Sequence, residues 1–226
     1  MNASRTKPIA ASPSDTTNRM ISPVTLQELF GSIDIYLFDQ LLKGSITPEM
    51  QVLDAGCGTG RNLVYFLRSG YHIHAVDHSS NAVAQVRALA AMLAPNLPAG
   101  NFRIEPIEAL SFADASFDLV ISSAVLHFAR DEDHWQSMVQ QMWRVLKPGG
   151  IFFARLASTI GIEHQVEPIA GRRYHLPDGS DRFLVDEPML METTKSLGGE
   201  WQEPLKTVVV HNMRSMTNWC VRKRAV

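Results

Sequence analysis

The residues best placed for chemistry cluster in Val52-Leu53-Asp54-Ala55-Gly56-Cys57-Gly58-Thr59-Gly60. Glycines let backbone approach a ligand closely and adopt positive φ, which a Cβ obstructs. Cys57, between two of them, is constrained by small size rather than by reactivity. A helix opening at Gly60 and Arg61 offers unpaired N–H groups and a partial positive charge to a carboxylate or phosphate. Asp54, just ahead of the turn, would repel a pyrophosphate and suits a ligand that carries an ammonium group. A second acid, Asp77, follows in Ala75-Val76-Asp77-His78, 21 residues after Gly56. A carboxylate there can accept both hydroxyls of an adenosine ribose, charge-assisted bonds worth roughly 1.5–3 kcal/mol each.

These residues need elements that hold them together. Apolar runs over 51–55, 72–77, 102–105, 117–123 and 151–156 read as strands. Helical stretches alternate with them over 61–69, closed by Gly70, over 81–94, stopping before Pro95, and over 131–146, ended by Lys-Pro-Gly-Gly. Strand–helix alternation implies right-handed crossovers and a largely parallel sheet covered on both faces, so the fold class is α/β. The glycine loop then lies at the carboxyl end of the first strand, where open parallel sheets bind ligands. Upstream, Leu26, Leu29, Phe30, Ile33, Leu37, Leu41 and Leu42 recur at threes and fours, which predicts one amphipathic helix over 24–44. Downstream, Leu176-Pro177-Asp178-Gly179-Ser180 predicts the turn of a small hairpin in 172–185, inserted after the fifth strand. A helix over 186–197, with Asp186 as N-cap, leads to two strands, 205–211 and 216–222, close enough in sequence to pair antiparallel.

The 226 residues suit one domain, 24–226, preceded by a Ser-, Thr- and Pro-rich segment, 1–23, expected to be a disordered tail. A transit peptide is the other reading of that segment, although it lacks an amphipathic Arg face. With 45% hydrophobic and 19% charged residues and a net charge of -2, the chain reads as a soluble globular protein. That balance argues against a nucleic-acid partner held by phosphate charge. No apolar stretch is long enough for a membrane span. Two distant cysteines, Cys57 and Cys220, point to a reducing, cytoplasmic compartment. His164 beside Glu163 has no partner pair at ligand spacing, so no metal site is expected.

Four motifs in order, D-x-G-x-G-x-G at 54–60, the acid Asp77, LSFADASFDLVISS at 110–123 and RVLKPGG at 144–150, resemble class I S-adenosylmethionine-dependent methyltransferases. Within that family the chain looks most like small-molecule enzymes of ubiquinone and menaquinone biosynthesis, and Gly60-Arg61-Asn62 resembles the tellurite-resistance methyltransferases. The resemblance implies a Rossmann-like, doubly wound, mostly parallel seven-stranded sheet with an antiparallel C-terminal hairpin. It implies S-adenosyl-L-methionine as cofactor and in-line methyl transfer to a small-molecule acceptor.

Carried over position by position, Asp54 would hold the methionine ammonium, and Gly56, Cys57, Gly58 and Gly60 would line the methionine arm. Asp77 would take the ribose hydroxyls, His78 would pack beside adenine, and Ser123 would face the cofactor. Where the family places an acid for the adenine amino group, this chain has Pro106. The backbone of Ile107 then reaches the ring, with Glu105 or Glu108 as substitute acids. His127, four residues past Ser123, is the candidate base or substrate partner; its other reading is a histidine bonded to backbone. Arg155, Arg173 and Tyr36 are the substrate-side candidates, the arginines for an anionic group. Arg155 also reads as the partner of a Glu or Asp on the neighbouring insertion, Arg173 as part of a basic exposed face, and Tyr36 as core.

Three alternatives stand beside this reading. One is a cofactor-binding protein without turnover, for which the missing acid at Pro106 speaks. Another is methylation of a protein. The third is a nicotinamide-dependent oxidoreductase, against which Asp54 and the early Gly60 count, since dinucleotide loops follow G-x-G-x-x-G and Arg61 stands where the third glycine belongs.

Overall fold

The computed structural model describes residues 24–225. The expected tail over 1–23 lies outside them. Five strands, β1 (Gln51–Ala55), β2 (His72–Asp77), β3 (Phe102–Ile104), β4 (Phe117–Ser123) and β5 (Leu146–Ala157), form the parallel part of a sheet. β1 is central: β2 and β3 extend the sheet to one side, β4 and β5 to the other. Successive strand residues face opposite layers, as the pleat requires. Val52, Leu119, Ile121 and Phe153 pack one way, against Leu37, Phe66 and Val86. Leu53, Val120 and Phe152 pack the other way, against Trp135, Met138 and Met142. Those partners come from three helices among others: α3 (Val64–Arg68), α4 (Ser80–Leu93) and α5 (Glu132–Val145).

Caps set where the helices begin. The Asp131 carboxylate accepts the His134 N–H (2.8 Å) to open α5, and Ser79 Oγ accepts the Ala82 N–H (3.3 Å) to open α4. β5 follows α5 without a loop and runs from Leu146, longer than the expected 151–156; a register shift against β4 between Phe117 and Leu119 absorbs the Lys-Pro-Gly-Gly segment.

The last two long strands, β10 (Lys206–Val210) and β11 (Arg214–Lys223), form the expected antiparallel pair, and β11 lies antiparallel to β5 with Asn218 opposite Arg155. Seven strands thus run in the order β10-β11-β5-β4-β1-β2-β3, with a short eighth, β9 (Gly199–Trp201), paired to the end of β11. The segment after β5 makes a separate antiparallel sheet of β6 (Glu167–Ala170), β7 (Arg173–His175) and β8 (Asp181–Phe183), one strand more than the predicted hairpin. It leads into α6 (Glu187–Ser196), capped by Asp186 as expected.

The N-terminal segment is two helices, α1 (Leu26–Phe30) and α2 (Ile35–Leu42), where one was expected. Gly31 breaks the chain at φ 62°, and a Cβ there would lie 2.7 Å from Val64 Cγ2. Asp34 restarts it: its carboxylate accepts the Tyr36 N–H (3.0 Å), while its own N–H donates to Asn62 Oδ1 (2.9 Å). The apolar period runs through the break, so periodicity alone could not reveal it.

Candidate functional site

All five parallel strands end at one edge, and the chain reverses direction across the sheet between β1 and β4, leaving a crevice there. The glycine turn closes onto β2, since the Gly56 and Cys57 N–H groups both donate to the Val76 carbonyl (2.9 and 3.0 Å). Gly56 has φ 82°, and a Cβ on it would meet Val125 Cγ2 at 2.6 Å, so only glycine fits. Asp77 is pinned by the same turn: Oδ2 accepts the Gly58 N–H and Oδ1 the Ser79 N–H, each at 2.9 Å.

A cavity of about 740 Å³ opens here, within the usual size range of small-ligand sites. Gly56, Gly58, Asp77 and His78 form one wall, and Pro106, Ile107 and Glu108 another. Val125, Phe128 and Met138 add apolar surface. Of the two acids near Pro106, only Glu108 faces this space. Glu105 accepts the Ser111 N–H (3.1 Å) and hydroxyl (2.5 Å) instead. Asp54 sits behind the turn, 1% exposed, with Oδ2 unpartnered. Burial pushes its carboxyl up to about 7; Arg61 opposes that shift and Asp77 adds to it. Burial also pushes the Cys57 thiol well up, so it stays protonated, as expected of a residue chosen for size.

Ser123 is engaged elsewhere. Its register partner across β4 and β5 is Arg155, and the two share the buried Asp34. Asp34 Oδ2 accepts from Arg155 Nη1 (2.8 Å) and Ser123 Oγ (3.3 Å), and Ser123 Oγ accepts from Arg61 Nη2 (2.8 Å). The Arg155 guanidinium also lies 5.4 Å from the centre of the Tyr36 ring, which places Tyr36 in this cluster. Sequence reading missed Asp34 and Arg61 here. Asp34 looked like part of a continuous helix, and the contact spans 121 positions to Arg155.

A second cavity, of about 290 Å³, lies on that side, walled by Arg61, His127, Arg155, Asp178, Arg182 and Arg214. The two cavities share Ala124, held at φ 64° by its N–H bond to the Arg155 carbonyl (2.7 Å). His127 is 7% exposed, and its Nδ1 has no partner, so the backbone-bonded alternative is not what that atom does. Burial, then Arg182 and Arg214, lower its imidazole to about 4, leaving it neutral at physiological pH. Arg173 reaches neither cavity. The β7–β8 register sets Arg173 opposite Phe183 and Tyr174 opposite Arg182, so Arg173 and Arg182 lie on opposite faces. Arg173 instead borders a shallow depression with Arg172 and Asp131.

Residues 53–154 match the family described as a methyltransferase domain. The chain is 35% identical over 108 residues to an uncharacterized methyltransferase of Synechocystis, covering 48% of this chain and 47% of that protein. It is 33% identical over 152 residues to malonyl-(acyl-carrier protein) O-methyltransferase of Pseudescherichia vulneris, covering 66% of this chain and 55% of the relative. The chain thus spans about half the length of these curated relatives. Among solved structures, a Methanosarcina mazei methyltransferase superposes with TM-score 0.66 at 19% identity over 82% of this chain and 98% of that one. The Burkholderia thailandensis 1,6-didemethyltoxoflavin-N1-methyltransferase, solved with S-adenosylhomocysteine, does so with TM-score 0.63 at 21% identity over 83% of this chain and 76% of that one. Motif order, strand order and these likenesses agree: residues 53–154 match a methyltransferase domain, and the sheet around them has the fold of the solved methyltransferases.

Proposed function

We propose that this protein transfers a methyl group from S-adenosylmethionine to a small-molecule acceptor. The observation that carries this reading is the pair of acids around one glycine turn: Asp77 on the wall of the large cavity, and Asp54 behind the turn with a buried, unpartnered oxygen. An orphaned buried carboxylate oxygen fits a ligand that brings a cation, which is the chemistry of the methionine ammonium. Asp77 accepts one N–H on each oxygen and keeps a lone pair on each for the ribose hydroxyls. Glu108, on the wall beside Pro106, takes the adenine amino group in place of the family's acid. His78, 87% exposed at its side chain, covers the adenine edge.

S-adenosylmethionine, when bound, supplies a methyl group on a sulfonium that is its own leaving group. The protein must then align the acceptor, exclude water and receive any proton the nucleophile carries. Neutral His127 is built for the last task, with Nδ1 free to accept. The acceptor occupies the smaller cavity and meets the methyl group past Ala124, the residue common to both walls. Ser123, Arg155 and Tyr36 hold that wall in place through Asp34.

On this reading residues 24–226 are one methyltransferase domain, with 157–185 an acceptor-side insertion. Two buried free cysteines support a reducing, cytoplasmic setting. No helix among the described residues is long and apolar enough to cross a membrane. Calorimetric titration with S-adenosylmethionine, S-adenosylhomocysteine and NAD tests the proposal. Micromolar binding of the two sulfur ligands and none of NAD is expected; a preference for NAD overturns it.

A further inference from the structure

The smaller cavity holds more positive charge than the structure around it uses. Four guanidinium groups, those of Arg61, Arg155, Arg182 and Arg214, line about 290 Å³. Among the described residues three carboxylates act on them: Asp54 on Arg61, and Asp34 and Asp178. Asp34 is shared between Arg155 (2.8 Å) and Arg61 (3.7 Å), and Asp178 already accepts the Ser180 N–H (3.0 Å) and hydroxyl (2.5 Å). Arg182 lies over the Phe128 ring at 4.9 Å and, among the described residues, donates only to the Asp181 carbonyl. Arg214 has no side-chain hydrogen bond or ion pair among the described residues. Two further donors or acceptors stand idle: Arg155 Nε and His127 Nδ1 are buried without partners, His127 being 93% enclosed on its 7% exposure. Like charges gathered in a partly desolvated space repel, so such a cluster is stable only with a counter-anion or solvent between its members.

We propose, on the strength of the methyl-transfer reading, that the acceptor is a small organic anion whose oxyanion group, carboxylate or phosphate, is held by Arg155, Arg182 and Arg214. Guanidinium groups bind both oxyanions through paired N–H donors, which fixes orientation as well as charge. The arginines come from three places, β5, the inserted sheet and the start of β11, so the insertion and the C-terminal pair each contribute one determinant of acceptor choice. The cavity is small for a ligand site, which limits the acceptor to a compact molecule.

The test is calorimetry on the complex with S-adenosylhomocysteine, using benzoate, phenyl phosphate and the neutral benzamide as probes. One of the two anions should bind at least about tenfold more tightly than benzamide, and which one does so identifies the oxyanion. Arg214→Gln, at an exposed position, should weaken that anion by about tenfold or more while leaving S-adenosylhomocysteine affinity within about twofold and the thermal midpoint unchanged. Arg182→Gln should act likewise. Benzamide binding as well as the anions, failure of both anions to bind, or an undiminished Arg214→Gln variant overturns the inference. So does an equal loss of S-adenosylhomocysteine affinity, which would make the chamber part of the cofactor site. If the parent fails to bind S-adenosylhomocysteine at all, the methyl-transfer reading itself falls, and the inference with it.

Discussion

Replacing Asp54 by asparagine separates the cost of burying this carboxyl from its use. In the protein without ligand the group is 1% exposed, has an unpartnered oxygen, and is pushed by burial from the ordinary carboxylate range up to about 7. Because the folded value lies above the unfolded one, its contribution to stability is full below the unfolded pKa and is lost as pH rises through about 7. From about pH 5 to the folded value is roughly two units, each worth ~1.4 kcal/mol, so the parent should lose about 3 kcal/mol relative to Asp54→Asn between about pH 5 and 8. An amide left without partners costs the variant something, but equally at every pH. In a chain this size the changing difference amounts to roughly 6–12 °C in thermal midpoint. Unfolding scans of both proteins across that pH range read it directly. Binding should move the other way: the parent should bind S-adenosylmethionine more tightly as pH rises toward 7, and the variant should bind weakly with little pH dependence. A stability difference that stays constant with pH would mean that Asp54 is already ionised in the free protein, and would refute the burial reasoning.

Asp77→Ala should weaken S-adenosylhomocysteine binding by about ten- to a hundredfold; calorimetry checks this, and its thermal midpoint should also fall because two backbone N–H groups lose their acceptor. His127→Ala should slow turnover of a protonated acceptor and leave cofactor affinity nearly unchanged. Since the imidazole sits near pH 4, turnover should not fall as pH drops from 8 to 6 through protonation of this residue. Gly56→Ala should lose about 1–3 kcal/mol in denaturant unfolding and abolish cofactor binding, because its Cβ would lie 2.6 Å from Val125 Cγ2 at a positive φ. Asp34→Asn should lower stability by about 3 kcal/mol or more in the same assay, since it strips the buried partner from Arg155.

How far the site could be read in the sequence follows from the range of the forces involved. The strands and their order of appearance were legible because each is a short apolar run, the first three followed or ended by Gly, Asp or Pro, and the glycine turn because a tight bend against β2 demands residues without a Cβ. The cap at Asp186 was legible for the same reason, since a cap acts over three residues. The break at Gly31 was not, because what excludes a side chain there is Val64 from another helix.

By itself, then, the sequence determined the α/β class, the acid–glycine–acid pattern at the carboxyl ends of β1 and β2, and through its motifs a resemblance to the methyltransferases. These rest on local periodicity and on contacts between chain neighbours. Only the tertiary structure decided that Asp34 gathers Arg61, Ser123 and Arg155, that Glu108 rather than Glu105 faces the large cavity, and that Arg182 and Arg214 enter the small one while Arg173 turns away. Those outcomes depend on strand register and on polar side chains that hydrogen-bond across 62, 89 and 121 positions of chain, where no spacing rule reaches and only the packed sheet fixes which side chain faces which space.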